Sequence, residues 1–294
     1  MSTTESQIEK LIAIAIEEDL GGGDLTTEAC IPESKVLEGT LVLKQAGVIA
    51  GLPFFKQLFQ KINPKIQVTF FVEEGSSHKS GTLLAKVIGP ATSILTGERI
   101  ALNLIQHASG IATITKAYVK KVAGLNCAIL DTRKTLPGLR ALEKYAVRVG
   151  GGFNYRHSLE ERCVIKLNHL AYLNATTNDP ISFAVNKLKA KHPSVPIEVE
   201  VNNFEQVERA LKCDVNAIML RSMTPGKAKA CVDYIHQHHK KAFIESSGAI
   251  TLDTVRAFAE TGVDGILIGD ITHSVQALHM SFKLSENVSQ SHNI

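Results

Sequence analysis

The chain has 294 residues, of which 44% are hydrophobic and 21% charged, with a formal net charge of +3. Those values fit a globular protein with a sizeable core in one large or two medium domains, and the small charge gives no argument for a nucleic-acid partner. Lysine and arginine are spread rather than blocked, so any preference for anions has to be local, and no apolar run approaches the ~20 residues that span a bilayer.

In chain order, Ser6 and Glu9 have capping-box spacing ahead of Ile8, Leu11, Ile12, Ala15 and Ile16, which recur at helical intervals. This helix is expected to end at Gly21-Gly22-Gly23, read as a flexible turn because it follows a helix and not a strand. Strand-like runs cover 37–49, 66–72 and 82–88, with a helix over 52–61 and breaks at Gly51-Leu52-Pro53, Asn63-Pro64, Gly75 and Gly89-Pro90. That makes the first half α+β. A long helical pattern over 96–122 is expected to break near Ser109-Gly110. Beyond it the alternation becomes regular. Apolar strands recur at 127–130, 163–167, 197–201, 217–220, 242–244 and 265–268, with helices between them at 179–191, 204–212, 225–239 and 252–261. About six β-α units in a stretch shorter than the ~250 residues of an eight-unit barrel predict an incomplete parallel barrel. The reading of the fold is therefore an N-terminal α+β, sandwich-like domain (residues 1–115) followed by an incomplete parallel α/β barrel (116–274), with 275–294 packing back on the first domain.

Ligands bind at the C-terminal edges of strands in parallel α/β folds. Those edges carry Thr132, Arg133 and Lys134; Lys166 and Asn168; Glu200; Arg221 and Ser222; Glu245, Ser246, Ser247 and Gly248; and Gly269 and Asp270. The loop from Gly150 to Arg156 approaches the same mouth. Arg133, Lys134, Arg156 and Lys166 around one opening repel each other when it is empty, so the pocket anticipates an anion with several carboxylates or phosphates. Ser246-Ser247-Gly248 precedes a helix, where backbone N–H groups can bind phosphate. The five cysteines form no CxxC pair and are read as buried thiols, and the polar N-terminus lacks the apolar segment of a signal peptide, so a reducing cytoplasm is expected. His236, His238 and His239 are read as a solvated helix end.

The run Asp131-Thr132-Arg133-Lys134-Thr135-Leu136-Pro137-Gly138-Leu139-Arg140, with Gly150-Gly151-Gly152, Glu245-Ser246-Ser247-Gly248 and Thr272-His273-Ser274, resembles the quinolinate phosphoribosyltransferase family. The likeness extends to Gly23-Asp24-Leu25-Thr26-Thr27, Ala46-Gly47-Val48-Ile49-Ala50-Gly51, Leu95-Thr96-Gly97-Glu98-Arg99 and Ser109-Gly110-Ile111-Ala112-Thr113, and so covers nearly the whole chain. It implies formation of nicotinate mononucleotide, carbon dioxide and pyrophosphate from quinolinate and phosphoribosyl pyrophosphate with Mg2+, by a homodimer or higher homo-oligomer with shared active sites, with no nucleic-acid or membrane partner. By the resemblance, Arg133, Arg156 and Lys166 hold the quinolinate carboxylates and Arg99 reaches in from the partner subunit. Lys134 lies near phosphoribosyl pyrophosphate, Ser247, Gly248 and Gly269 hold its 5′-phosphate, and Glu200 serves the ribose and metal side. Thr132, Tyr155, Arg221, Ser246 and Asp270 complete the implied substrate contacts, and Lys134, Lys166 and Glu200 are the implied catalytic groups.

The chain departs from the family pattern at several of these positions. Tyr155 stands where a histidine is usual, Leu167 where an aspartate is, Arg221-Ser222 where Asp-Asn is, Leu136 where a threonine is common, and Asp270 where a small residue is usual. Two functional readings stay open at this point: an active phosphoribosyltransferase with retuned contacts, and a diverged relative. The latter would lack that activity or have a changed reaction, and would bind a small aromatic dicarboxylate or phosphate ligand as a sensor or partner protein.

Overall fold

The computed structural model describes residues 4–238 and 241–285. In chain order the elements are α1 (Thr4–Leu20), α2 (Leu25–Cys30), β1 (Val36–Leu43), β2 (Gly47–Val48), α3 (Leu52–Ile62), β3 (Gln67–Phe70), β4 (Ser77–His78), β5 (Leu83–Pro90) and α4 (Ala91–Lys121). There follow β6 (Ala128–Leu130), α5 (Arg140–Val149), β7 (Cys163–Ile165), α6 (Leu167–Leu173), α7 (Pro180–Lys191), β8 (Ile197–Val201), α8 (Phe204–Leu211) and β9 (Ala217–Arg221). The last are α9 (Pro225–His238), β10 (Phe243–Ser247), α10 (Val255–Ala259), β11 (Gly265–Leu267), α11 (Asp270–His273) and β12 (Met280–Ser285). Two compact units result: the described residues of 4–116, 135–151 and 271–285 form one, and Ala117–Lys134 with Gly152–Asp270 form the other.

The first unit is built on an antiparallel four-stranded sheet of order β12-β1-β5-β3. Its last strand pairs with its first over Glu38↔Ser285 to Leu43↔Met280. In α3, Leu52, Phe55, Leu58 and Phe59 recur at helical spacing and are buried, and Phe59 stacks on Phe282 of β12 at 6.2 Å. The run expected as a single strand over 37–49 divides into β1 and β2. Helix α1 begins at Thr4, so Ser6 and Glu9 sit inside its first turns and not at a cap. Helix α4 runs unbroken through Ser109-Gly110, against the expected break. Glycine is there because of its neighbours: a Cβ at Gly110 would stand 2.2 Å from the Gln276 backbone oxygen. Helix α5 also belongs to this unit, with Glu143 accepting from His107 Nε2 at 3.1 Å and from the Leu136 N–H at 3.3 Å.

The second unit holds six parallel strands in the order β6-β11-β10-β9-β8-β7. The two edge strands, β6 and β7, are the ones a closed barrel would join. Beside β6 the chain instead lays down Phe153, which bridges in parallel to Leu130, donates its N–H to the Ile129 oxygen at 2.8 Å and accepts from the Asp131 N–H at 3.1 Å. The barrel is incomplete, as the count of β-α units predicted. Helices α7, α8 and α9 fall close to their predicted ranges, and the N-caps of α7 and α8 are Asp179 and Asn203. Helices α2, α6 and α11 lack a sequence signal strong enough to predict them, being four to seven residues long.

Candidate active site

Side chains of a strand alternate between its faces, so a residue two positions beyond an inward one points inward again. Leu130, Val164, Met219, Leu267 and Tyr155 form one apolar cluster inside the parallel strands, and Glu198 joins it by accepting a hydrogen bond from Tyr155. Two positions further along stand Glu200 and Arg221, still within β8 and β9, and Thr132, Lys166 and Gly269, just beyond the ends of β6, β7 and β11. Ser247 occupies the same place after the buried Glu245. All six strands thus deliver a predicted site residue to one layer at their C-terminal edge. Register sets Arg221 directly beside Ser247, and Ser247 beside Leu267.

The side of this layer formed by the ends of β9 and β10 is tightly specified. Arg221 Nη1 donates to Ser247 Oγ at 3.3 Å, and the Ser222 N–H donates to the Ser247 backbone oxygen at 2.8 Å. Gly248 has φ 114°, and a Cβ there would meet Ser222 Oγ at 2.7 Å, so only glycine fits this turn. Ser246 and Ser247 are buried, whereas Gly248 and Gly269 are half-buried and Asp270 is exposed.

On the other side Asp131, fully buried, organises the approach of the glycine-rich loop. Its Oδ2 accepts from Asn154 Nδ2 at 2.6 Å and its Oδ1 from the Tyr155 N–H at 2.8 Å. Thr132 Oγ1 accepts from the Lys134 N–H at 2.9 Å, shaping the turn after β6. Arg156 is only 7% exposed, Arg133 and Glu200 are half-buried, and Lys134 and Lys166 are exposed. Lys166 has extended backbone as the N-cap of α6, with Leu167 as that helix's first residue. Arg99 lies exposed on α4, in the first unit.

Below the layer lies an ionic cluster with no precedent in the sequence reading. Tyr155 Oη donates to Glu198 Oε1 and Oε2 at 3.0 and 2.9 Å, so its hydroxyl is turned into the barrel interior. Arg162 Nη1 donates to Glu198 Oε2 at 2.8 Å and to Glu245 Oε1 at 3.0 Å. One guanidinium therefore faces two buried carboxylates. Burial, and then the nearby Glu198 anion, push the Glu245 carboxyl up to about 8 against the opposing pull of Arg162. Burial first, then Glu198 and Glu245, drives the Tyr155 phenol well above its ordinary range, so it remains a neutral donor. Arg162 and Glu198 were findable: carboxylates at every second position of the apolar strand Ile197-Glu198-Val199-Glu200 need partners if that face is buried.

All five cysteines are free, but against the reading of buried thiols only Cys231 is buried, Cys127, Cys163 and Cys213 are half-buried and Cys30 is exposed; burial followed by the Asp264 charge pushes the Cys127 thiol up to about 12. His236 and His238 are exposed, and His239 lies outside the described residues. No group of three or more histidine, cysteine, aspartate or glutamate side chains is placed to hold a metal ion among the described residues.

Models of the quinolinate phosphoribosyl transferase N-terminal and C-terminal domains match residues 24–109 and 111–283. The chain is 39% identical to the nicotinate-nucleotide pyrophosphorylase (carboxylating) of Mycobacterium leprae, over 92% of this chain and 94% of that protein. It is 38% identical to the probable nicotinate-nucleotide pyrophosphorylase (carboxylating) of Bacillus subtilis, over 95% of this chain and 94% of that protein. The crystal structure of NadC from Streptococcus pyogenes superposes with a TM-score of 0.89 at 34% identity, covering 97% of this chain and 99% of that one.

The raised Glu245 carboxyl makes a stability prediction. Its folded value, about 8, lies above the ordinary 4.5, so its contribution is fully present below about pH 4.5 and is lost as the pH rises through about 8. Glu245→Gln should flatten that fall, gaining roughly 1–4 kcal/mol on the parent between about pH 5 and 9 at 1.36 kcal/mol per unit. Denaturant titrations at stepped pH measure it; parallel stability curves for the two proteins would rule the proton out.

Proposed function

The chain belongs to the quinolinate phosphoribosyltransferase family, and on that premise we propose how its strand-edge layer carries the family's reaction. The protein transfers the phosphoribosyl group of phosphoribosyl pyrophosphate to quinolinate with loss of carbon dioxide and pyrophosphate, forming nicotinate mononucleotide for NAD biosynthesis. The observation that carries the residue assignment is the layer itself, in which all six parallel strands present one polar or glycine position at the same edge. No observation favours the reading of the chain as an inactive descendant.

Both substrates are polyanions, so the site must first offset their mutual repulsion. We assign Arg133, Arg156 and Lys166 to the two quinolinate carboxylates, with Thr132 and the Tyr155 backbone at the rim of that pocket. Arg156 is already desolvated, so binding an anion gives up little of its hydration. Ser246, Ser247, Gly248 and Gly269 suit the 5′-phosphate, and we assign Arg221 and Asp270 to the pyrophosphate and its ion. Lys134 neutralises charge on the departing pyrophosphate, and Glu200 faces the sugar. The C1′–O bond breaks with its electron pair leaving on pyrophosphate, and the pyridine nitrogen's pair forms the new bond to C1′. The nitrogen becomes cationic, and the adjacent carboxylate leaves as carbon dioxide. The electron pair left on the ring carbon, stabilised by the neighbouring cation, takes up a proton, for which we assign the Lys166 ammonium.

Magnesium fits this layer only as an ion carried by the substrate. The strand edges offer the carboxylates Glu200 and Asp270 and not a protein-only cage, which suits binding through one carboxylate and phosphate oxygens. Glu200 would hold it, and the ion would supply charge neutralisation at the pyrophosphate. Arg221 cannot ligate a metal but supplies fixed positive charge to the same oxygens. The reading is therefore of magnesium dependence that is weakened, or moved towards Glu200 and Asp270. A cytoplasmic homodimer with shared sites accompanies it. What supports the shared sites is the exposed Arg99, and what supports the compartment is the free cysteines.

Purified protein should form nicotinate mononucleotide from the two substrates, and Arg133→Ala and Arg156→Ala should each weaken quinolinate binding by roughly 1.5–3 kcal/mol, the range for charged hydrogen bonds. Calorimetry decides this, and unchanged affinity in both variants places the pocket elsewhere. Mixing Arg99→Ala with Lys134→Ala protein should restore one working site per mixed dimer; no recovery after demonstrated subunit exchange rules out shared sites. Phosphoribosyl pyrophosphate binding titrated with and without magnesium should keep a metal-independent part that Arg221→Asp abolishes. The same metal dependence in both proteins would sink that role for Arg221.

A further inference from the structure

The loop 157–161 separates Arg156 from Arg162, yet the two arginines are joined across it. Arg156 Nη1 donates to the Arg162 backbone oxygen at 2.8 Å. Both guanidinium groups also approach the Tyr155 ring, at 5.9 Å and 5.2 Å from its centroid. Arg162 is held in turn from within the barrel, where its Nη1 bridges Glu198 and Glu245 at 2.8 and 3.0 Å. Those carboxylates are 0% and 1% exposed, so the bonds are made where charge-assisted hydrogen bonds are least weakened by water. Glu198 is further fixed by the Tyr155 hydroxyl. The side chain of Arg162 thus pins its own backbone, and that backbone oxygen orients Arg156.

We propose that Arg162 is a positioning residue for the quinolinate side of the mouth: it sets the guanidinium of Arg156 without itself touching substrate. The proposal rests on the assignment of Arg156 to quinolinate. A purely structural Arg162 would neutralise the two glutamates and affect both substrates alike. A positioning Arg162 affects quinolinate alone, and only while Arg156 is present. Arg162→Lys separates the two, because lysine keeps the charge but not the planar, directional donors that bridge two fixed carboxylates.

The test is a double-mutant cycle read by calorimetric titration of each substrate. Arg162→Lys should raise the quinolinate Kd roughly tenfold and leave the phosphoribosyl pyrophosphate Kd within about twofold, and it should add nothing in an Arg156→Ala background. Arg162→Met combined with Glu198→Gln removes the cation together with the carboxylate that matches it, which keeps the interior charge balanced should the lysine variant fold poorly. It should show the same selective loss. Equal weakening of both substrates, or full additivity with Arg156→Ala, overturns the positioning role. So does an unchanged quinolinate Kd in Arg162→Lys when Arg156→Ala alone weakens it. An unchanged quinolinate Kd in Arg156→Ala instead overturns the assignment of Arg156, and the proposal falls with it.

Discussion

A parallel strand that turns one side chain into the barrel must turn the next but one the same way, and the layer of polar residues inherits its place from that constraint. Leu130, Val164, Met219 and Leu267 fill the interior, and within β8, β9 and β10 the residues that follow the inward Glu198, Met219 and Glu245 by two places, Glu200, Arg221 and Ser247, have no choice of side. The apolar packing below and the polar layer above are one pattern read at two heights. A one-residue slip of β9 against β10 would break the Arg221↔Ser247 pairing and turn Met219 out of the core. Site geometry is therefore protected by the same free energy that holds the fold.

The interior departs from an apolar barrel at Glu198, Glu245 and Arg162. Burying two carboxylates on one guanidinium is costly, and a well-packed apolar replacement of such a cluster is often neutral or stabilising. What the cluster supplies is direction. Each of its hydrogen bonds fixes an angle as well as a distance, and together they tie the segment between Phe153 and β7 to strands β8 and β10. That segment occupies the place where the barrel fails to close. Polar bonds do there what a missing strand's ladder would have done.

Much of this could be read from the chain. Six apolar strands at regular spacing declare the parallel sheet, and the polar residues that end them fall in one layer because topology, not local chemistry, gathers them. Other features depend on distant contacts that no local pattern records. Gly110 resembles a helix break, but the backbone at Gln276 dictates it. The helix at 140–149 follows a strand like any barrel helix, yet it packs in the other unit through Glu143 and His107, a partner 36 residues away. Tyr155 reads as a mouth residue from its place in the glycine-rich loop, and only the carboxylate of Glu198, 43 residues on, explains why its hydroxyl points inward.

The charges also order themselves by depth. In the mouth layer and its rim, Arg133, Lys134, Arg156, Lys166 and Arg221 outnumber Glu200 and Asp270. Beneath them Glu198 is matched by Arg162, Tyr155 is neutral, and Glu245 holds its proton until about pH 8. The raised Glu245 carboxyl therefore makes the floor less negative than two ionised carboxylates would. A pocket for polyanions gains from this, since a second ionised carboxylate in the floor would oppose every negative group placed above it, across a medium that screens poorly. The proton on Glu245 resolves a conflict built into the sequence: strand β10 carries an acid at the position directly below Ser247, where a bound phosphate would least tolerate a charge. Burial raises that acid's affinity for its proton, and so lets one strand supply both an anchor for Arg162 and the hydroxyl proposed for the phosphate.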